Sequence, residues 1–162
     1  MPWATTEAWV GDIGPDGEIT HARRVAGGPG ESVFQPEWSP DGNLYFVSDR
    51  GSGWWNLYRE RDSAIESIAP MGAEFGRPQW QFGMSTYAFE YANRLISCFV
   101  RDGVWTLAII ELGTKHFEIV PTEFTDISQL CAAPGRVVFI GGSPSGPRSP
   151  TQASVATQGM SG

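Results

Sequence analysis

The run Phe34-Gln35-Pro36-Glu37-Trp38-Ser39-Pro40-Asp41-Gly42-Asn43-Leu44-Tyr45-Phe46-Val47-Ser48 decides the fold. Its centre, Ser39-Pro40-Asp41-Gly42, puts proline where φ must be preset and Asp-Gly where the chain must reverse. Alternating apolar residues flank that turn on both sides, which is the pattern of a hairpin. Trp54-Trp55-Asn56-Leu57-Tyr58 follows, and Ala64-Ile65-Glu66-Ser67-Ile68 closes the unit ahead of Pro70. One unit therefore holds four short strands.

The same order recurs further along. Thr86-Tyr87-Ala88-Phe89 stands for the first strand and Leu95-Ile96-Ser97-Cys98-Phe99-Val100 for the second. Val104-Trp105-Thr106-Leu107-Ala108 and His116-Phe117-Glu118-Ile119, ahead of Pro121, supply the third and fourth. Phe89 then takes the place of Trp38, Leu95 that of Leu44, and Trp105 that of Trp55. A third start appears at Leu130-Cys131-Ala132, which turns at Ala133-Pro134-Gly135 into Val137-Val138-Phe139-Ile140. Upstream, Ala8 to Ile13, the turn Gly14-Pro15-Asp16-Gly17 and Ile19 to Val25 match a unit's last two strands. Four-stranded units spaced by about 40 to 50 residues are propeller blades. A second register would set Arg77-Pro78-Gln79-Trp80 on Gln35-Pro36-Glu37-Trp38. The first is preferred because it also aligns Pro70 with Pro121, and it leaves residues 74–84 as an extra loop between blades.

Composition agrees. Twenty glycines, twelve prolines and seven tryptophans in 162 residues describe a chain that turns often and buries large rings. An all-β domain is expected, built as a β-propeller segment of four-stranded antiparallel blades, about two whole and two half. The partial propeller spans 1–140. From Gly141 to Gly162 small and polar residues dominate, and this 141–162 stretch is expected to be a disordered Gly/Ser/Pro-rich tail. The longest run of strong hydrophobes is Val137 to Ile140, far short of the roughly 20 residues of a membrane-spanning helix. A formal charge of −7 argues against nucleic acid or anionic lipid as main partner. The first residues carry neither a basic nor an apolar signal region, so a cytoplasmic address is expected.

The stretch Pro36 to Arg50 resembles the TolB-like propeller repeat. The run on through Trp54-Trp55-Asn56-Leu57-Tyr58-Arg59, Glu74-Phe75-Gly76-Arg77-Pro78-Gln79-Trp80 and Phe82 to Phe89 is more specific. It resembles the propeller of dipeptidyl aminopeptidase and acylaminoacyl-peptidase type serine peptidases of the prolyl oligopeptidase family, from about Met1 to Ser143. The resemblance implies a propeller that screens peptides for an α/β-hydrolase domain, and of such an enzyme this chain contains blades alone. A hydrolase nucleophile sits in G-x-S-x-G, where small neighbours allow the strained turn. No such pattern occurs; Gly142-Ser143-Pro144-Ser145-Gly146 has proline at its centre. No catalytic residue is assigned.

Other chemistry is thin. Asp12-Ile13-Gly14-Pro15-Asp16-Gly17-Glu18 begins like a calcium loop, but Gly14 and Arg23 stand where ligands belong, so a hairpin turn is expected. Gly27-Gly28-Pro29-Gly30 has no following Lys-Ser or Lys-Thr to make a phosphate cradle. His21, His116, Cys98 and Cys131 lack metal-ligand spacing, and both cysteines sit in apolar runs as expected buried, reduced thiols. No metal or cofactor is expected. Trp38, Phe46, Trp55, Phe89 and Trp105 recur at equivalent places and are expected core. Trp54, Phe75 and Trp80 lie outside that register beside Arg50, Glu74 and Arg77. Loops at a propeller rim commonly bind, so these six are the candidates for contact with a peptide substrate or with a hydrolase domain that this chain does not contain.

Three readings of function follow: a non-catalytic piece of a peptidase's substrate-gating propeller, a TolB-like module that binds another protein, or, as the weakest, an unrelated small hydrolase whose residues match no pattern considered above. Open blade edges invite self-association in every case.

Overall fold

The computed structural model describes residues 5–154, which contain strands, turns and loops but no helix. Four consecutive antiparallel meanders account for all the strands. The first sheet has β1 (Glu7–Ile13) and β2 (Ile19–Gly27). The second runs β3 (Val33–Trp38), β4 (Leu44–Ser48), β5 (Asn56–Arg61) and β6 (Ala64–Ser67). The third runs β7 (Tyr87–Tyr91), β8 (Arg94–Arg101), β9 (Val104–Glu111) and β10 (His116–Val120). The fourth has β11 (Asp126–Ala133), β12 (Arg136–Ser143) and β13 (Gly146–Ser154). This is a β-propeller segment.

Register settles which alignment of the repeats is right. Trp38 pairs with Leu44 and Phe89 with Leu95; Leu44 pairs with Glu60 and Leu95 with Ile110. Counting back five residues from Glu60 and from Ile110 puts Trp55 and Trp105 at the same place in their sheets. Tyr87–Tyr91 is thus a first strand, and Trp80 belongs to the connection before it.

The core lies between sheets, because side chains alternate across each strand and the second and third sheets each have a neighbour on both faces. From the second sheet, Tyr45, Val47 and Leu57 press against Leu95, Phe99, Ala108 and Ile110 of the third. The other face of the third sheet offers Ile96, Cys98 and Leu107 to Ile127, Val137 and Phe139 of the fourth. β8 is buried on both faces, which is why it reads as an unbroken apolar run. Ala8 and Ala26 of the first sheet meet Val33, Phe46 and Tyr58 of the second. Each fully buried aromatic or branched side chain contributes about 1.5–3 kcal/mol.

Three expectations are corrected. Composition makes everything after Ile140 a tail, yet β12 continues to Ser143 and β13 pairs with it from Ser143↔Gly146 to Arg136↔Ser154. β13 sits at a sheet edge, the one place in a sheet where Pro147 and Pro150 lose little by lacking an N–H. Residues 155–162, the rest of that predicted tail, lie outside the described residues. Cys98 is buried as expected, but Cys131 is exposed. Trp38 is 57% exposed rather than core. Its counterpart Phe89 packs edge-on against Tyr45, a second-strand residue of the preceding sheet, with centroids 5.0 Å apart. The sheet before Trp38 has only two strands among the described residues, and none is a second strand.

Candidate functional site

The connection from β6 to β7 carries the site. Its middle is zipped between the second and third sheets. Glu74 and Val100 exchange backbone hydrogen bonds of 3.0 and 2.9 Å, and Phe75 N–H donates to the Trp55 carbonyl. The Glu74 carboxylate accepts the Trp55 N–H at 2.6 Å. Thr86 Oγ1 donates to the Phe75 carbonyl at 2.6 Å. The Phe75 ring is fully buried, 5.5 Å from that of Phe99. Its place among the contact candidates is therefore corrected: it holds the strap down and cannot touch a ligand.

Arg77 comes next and joins the third sheet to the fourth. Its guanidinium lies 3.9 Å from the Trp105 ring centre. It also donates to Asp126 and, at 2.8 Å, to the Ile127 carbonyl. Asp126 in turn holds Arg148 of β13 at 3.0 Å, and Arg148 donates to Ser128 Oγ at 2.7 Å. Two guanidiniums share one carboxylate, so this corner keeps net positive charge.

Past Arg77 the chain swings outward. Trp80 is 73% exposed and Phe82 fully so. Beneath Trp80 lies an open cleft of about 460 Å³, walled by Trp55, Trp80, Trp105, Pro78 and Met84, with Glu74 and Arg77 as its charged groups. The lining has no hydroxyl, thiol or imidazole. It offers aromatic faces, one anionic group and the edge of one cationic group, a lining suited to non-covalent contact with apolar and charged side chains.

Of the six candidates, Glu74, Arg77 and Trp80 meet at this cleft. Arg50 does not. Its Nε stands 3.8 Å from Glu31, its guanidinium lies over Tyr58, and its carbonyl accepts the Tyr58 hydroxyl. Trp54 is half exposed beside Gly72, outside the lining. Trp55, Trp105 and Met84 were not among the six. The two tryptophans are legible as a repeated position, and what escapes notice is that both also line this cleft. His21 pairs with Asp12 on exposed surface, and neither His21 nor His116 lines the cleft.

A second concavity of about 530 Å³ shares Arg77, Trp80 and Met84, then continues over Ser128, Gln129, Ile140 and Pro150 of the fourth sheet. Val137 and Phe139 point to the third sheet, so Val138 and Ile140 point the opposite way. This second concavity thus opens on the uncovered face of β11–β13.

No family model matches the chain, and no curated protein matches it. Solved structures do. A crystal structure of puromycin hydrolase is 28% identical with a TM-score of 0.86, over 95% of this chain and 23% of that one. A puromycin-hydrolyzing peptidase of Mycobacterium tuberculosis is 32% identical with the same TM-score, again over 95% of this chain and 23% of that one. TolB from Acinetobacter baumannii superposes with a TM-score of 0.67 at 13% identity, covering 91% of this chain and 35% of TolB, a likeness of fold alone. The chain spans under a quarter of the length of the two hydrolases it resembles.

Proposed function

We propose that this chain is a non-catalytic segment of the propeller that controls access to a peptide-acting serine hydrolase. The Trp80 cleft is its contact point for peptide or for the hydrolase domain. The observation that carries this reading is the likeness to two puromycin-hydrolysing enzymes across 95% of the chain, confined to 23% of their length. Chemistry agrees with it. Peptide hydrolysis needs an activated nucleophile and oxyanion donors, whereas the cleft supplies rings and fixed charges.

The purified chain should neither cleave chromogenic dipeptide or acyl-peptide substrates nor react with a fluorophosphonate probe. It should bind short peptides weakly, with a change in tryptophan emission that Trp80→Ala abolishes and that added salt diminishes. Turnover that copurifies with the chain, or covalent labelling of any of its serines, would overturn the reading.

A further inference from the structure

The two concavities meet at Arg77, Trp80 and Met84, and their charges differ. The chain as a whole carries a formal charge of −7, yet the charged groups lining the larger concavity are Arg77 and Arg148 alone among the described residues. Asp126 stands outside the lining and takes one bond from each guanidinium, from Nη2 of Arg77 and Nε of Arg148. Their remaining bonds go to the Ile127 carbonyl and to Ser128 Oγ. Nη1 of both arginines is left without a hydrogen bond among the described residues. The corner thus holds an excess of one positive charge and two unused donors.

The arginine pair is held at one end of the fourth sheet. Asp126 opens β11 and pairs with Gly142 near the end of β12. A Cβ at Gly142 would stand 3.0 Å from Cγ of Arg148 and 3.8 Å from Cβ of Asp126. The glycine therefore makes room for the Arg148 stem to cross toward Asp126. Arg77 arrives from the β6–β7 connection already fixed, 3.9 Å from the Trp105 ring centre and bonded to Ile127. On its other side the apolar cleft opens between Trp55, Trp80 and Trp105, and the acid there is Glu74. A carboxylate is repelled at the Glu74 end and attracted at the arginine end, while apolar surface is favoured beneath Trp80. Low-polarity walls around charges of one sign strengthen such a field.

We infer that the Arg77–Arg148 corner is a carboxylate subsite of the peptide cleft. It takes a peptide carboxylate, at the C-terminus or on an acidic side chain, while the adjoining apolar side chain lies under Trp80. One carboxylate oxygen serves each guanidinium through a charge-assisted hydrogen bond. The inference rests on the peptide-contact reading of the cleft and adds to it the chemical class of the ligand.

The test follows tryptophan emission of the full chain during titration with three peptides. These are acetyl-Gly-Gly-Leu as the free acid, the same peptide as its C-terminal amide, and acetyl-Gly-Asp-Leu-Gly-amide, whose carboxylate is on a side chain. At least one acid should bind roughly five- to tenfold tighter than the uncharged amide, and which one does so identifies the source of the group. That advantage should vanish in Arg148→Ala, persist in part in Arg148→Lys, and shrink with added salt, while binding of the uncharged amide stays unchanged. Both variants should melt close to the parent, since Arg148 is 55% exposed and such a pair adds little stability. The comparison of acid with amide needs no variant and stands even if a substitution disturbs folding. Equal binding of acids and amide, abolished by Trp80→Ala, would overturn this inference and leave the peptide cleft in place. Binding of none of the three would overturn both. An acid preference that a well-folded Arg148→Ala chain retains in full would put the carboxylate elsewhere and overturn the subsite.

Discussion

Arg77 holds its guanidinium 3.9 Å above the ring of Trp105 while binding Asp126 and the Ile127 carbonyl. A residue of an irregular connection thereby pins the start of β9 to the start of β11. Cation–π contact contributes about 0.5–2 kcal/mol, and removing one member of a mostly buried ion pair costs more because the other charge is left behind. Asp126 keeps Arg148 as a second partner, which limits that loss. Arg77→Ala should destabilise the chain by about 2–3 kcal/mol in urea unfolding. Arg77→Lys should recover only part of it, since an ammonium neither stacks flat on indole nor forks between two acceptors. Equal stability of Arg77→Ala and parent would remove this pin from the account.

Glu66 offers a pH test. It accepts hydrogen bonds from Arg59 of its own sheet and, at 3.2 Å, from Lys115 of the third. The Arg59 hydrogen bond, above all, holds its carboxyl below the ordinary carboxylate value. A lowered folded pKa means that the unfolded chain binds protons first as pH drops. The stabilisation is therefore complete above about 4.5, the ordinary value, and is lost as pH falls through the folded value. Urea midpoints at pH 7 and pH 3 should differ less in Glu66→Gln than in the parent. Glu37 should act with opposite sign. Burial raises its pKa, so its contribution is present below the ordinary value and declines as pH rises through the folded one.

The repeat was legible in the sequence, but burial at an equivalent position depends on whether the preceding sheet supplies a partner, which the local run does not show. Trp38 and Phe89 share a register position, and the strand pairing at both follows from the pattern around Pro40-Asp41-Gly42. Only Phe89 has a Tyr45 to lie against, and that depends on the preceding sheet rather than on the local run. β13 escaped for a different reason. Its residues bury little, so hydrophobic periodicity is silent, and pairing with β12 does the ordering. At the cleft, charge and aromaticity singled out Glu74, Arg77 and Trp80, and the same cue wrongly admitted Phe75. An odd aromatic in a loop faces inward as readily as outward, and only the strap's hydrogen bonds decide which.

The two thiols should be distinguishable. Cys98 is enclosed between the third and fourth sheets, and burial pushes its pKa up to about 12. Cys131 is exposed on β11. Ellman's reagent at pH 8 should titrate one thiol in the folded chain and both in urea, and Cys131→Ser should abolish the native reaction. Rapid modification of both under native conditions would mean that the interface around Cys98 opens readily.

Gly76 tests how tightly the strap is closed. Its φ lies outside the left-handed region, so glycine is needed here for space and not for conformation. A Cβ built on it would stand 1.9 Å from Cζ of Phe34 and 2.6 Å from Cε2. Phe34 cannot retreat, being buried and packed edge-on to Trp55 with centroids 4.9 Å apart. Gly76→Ala should cost about 3 kcal/mol, the upper part of the overpacking range, and lower the melting temperature by roughly 10 °C. Gly72→Ala is the control, because its Cβ would meet only Trp54 at 3.9 Å, an ordinary contact. Adding Phe34→Leu to Gly76→Ala should restore part of the loss, a coupling expected only of residues in contact. A Gly76→Ala chain that melts with the parent would show that residues 74–76 lift away from the second sheet at little cost, and the Trp80 cleft would lose its fixed floor.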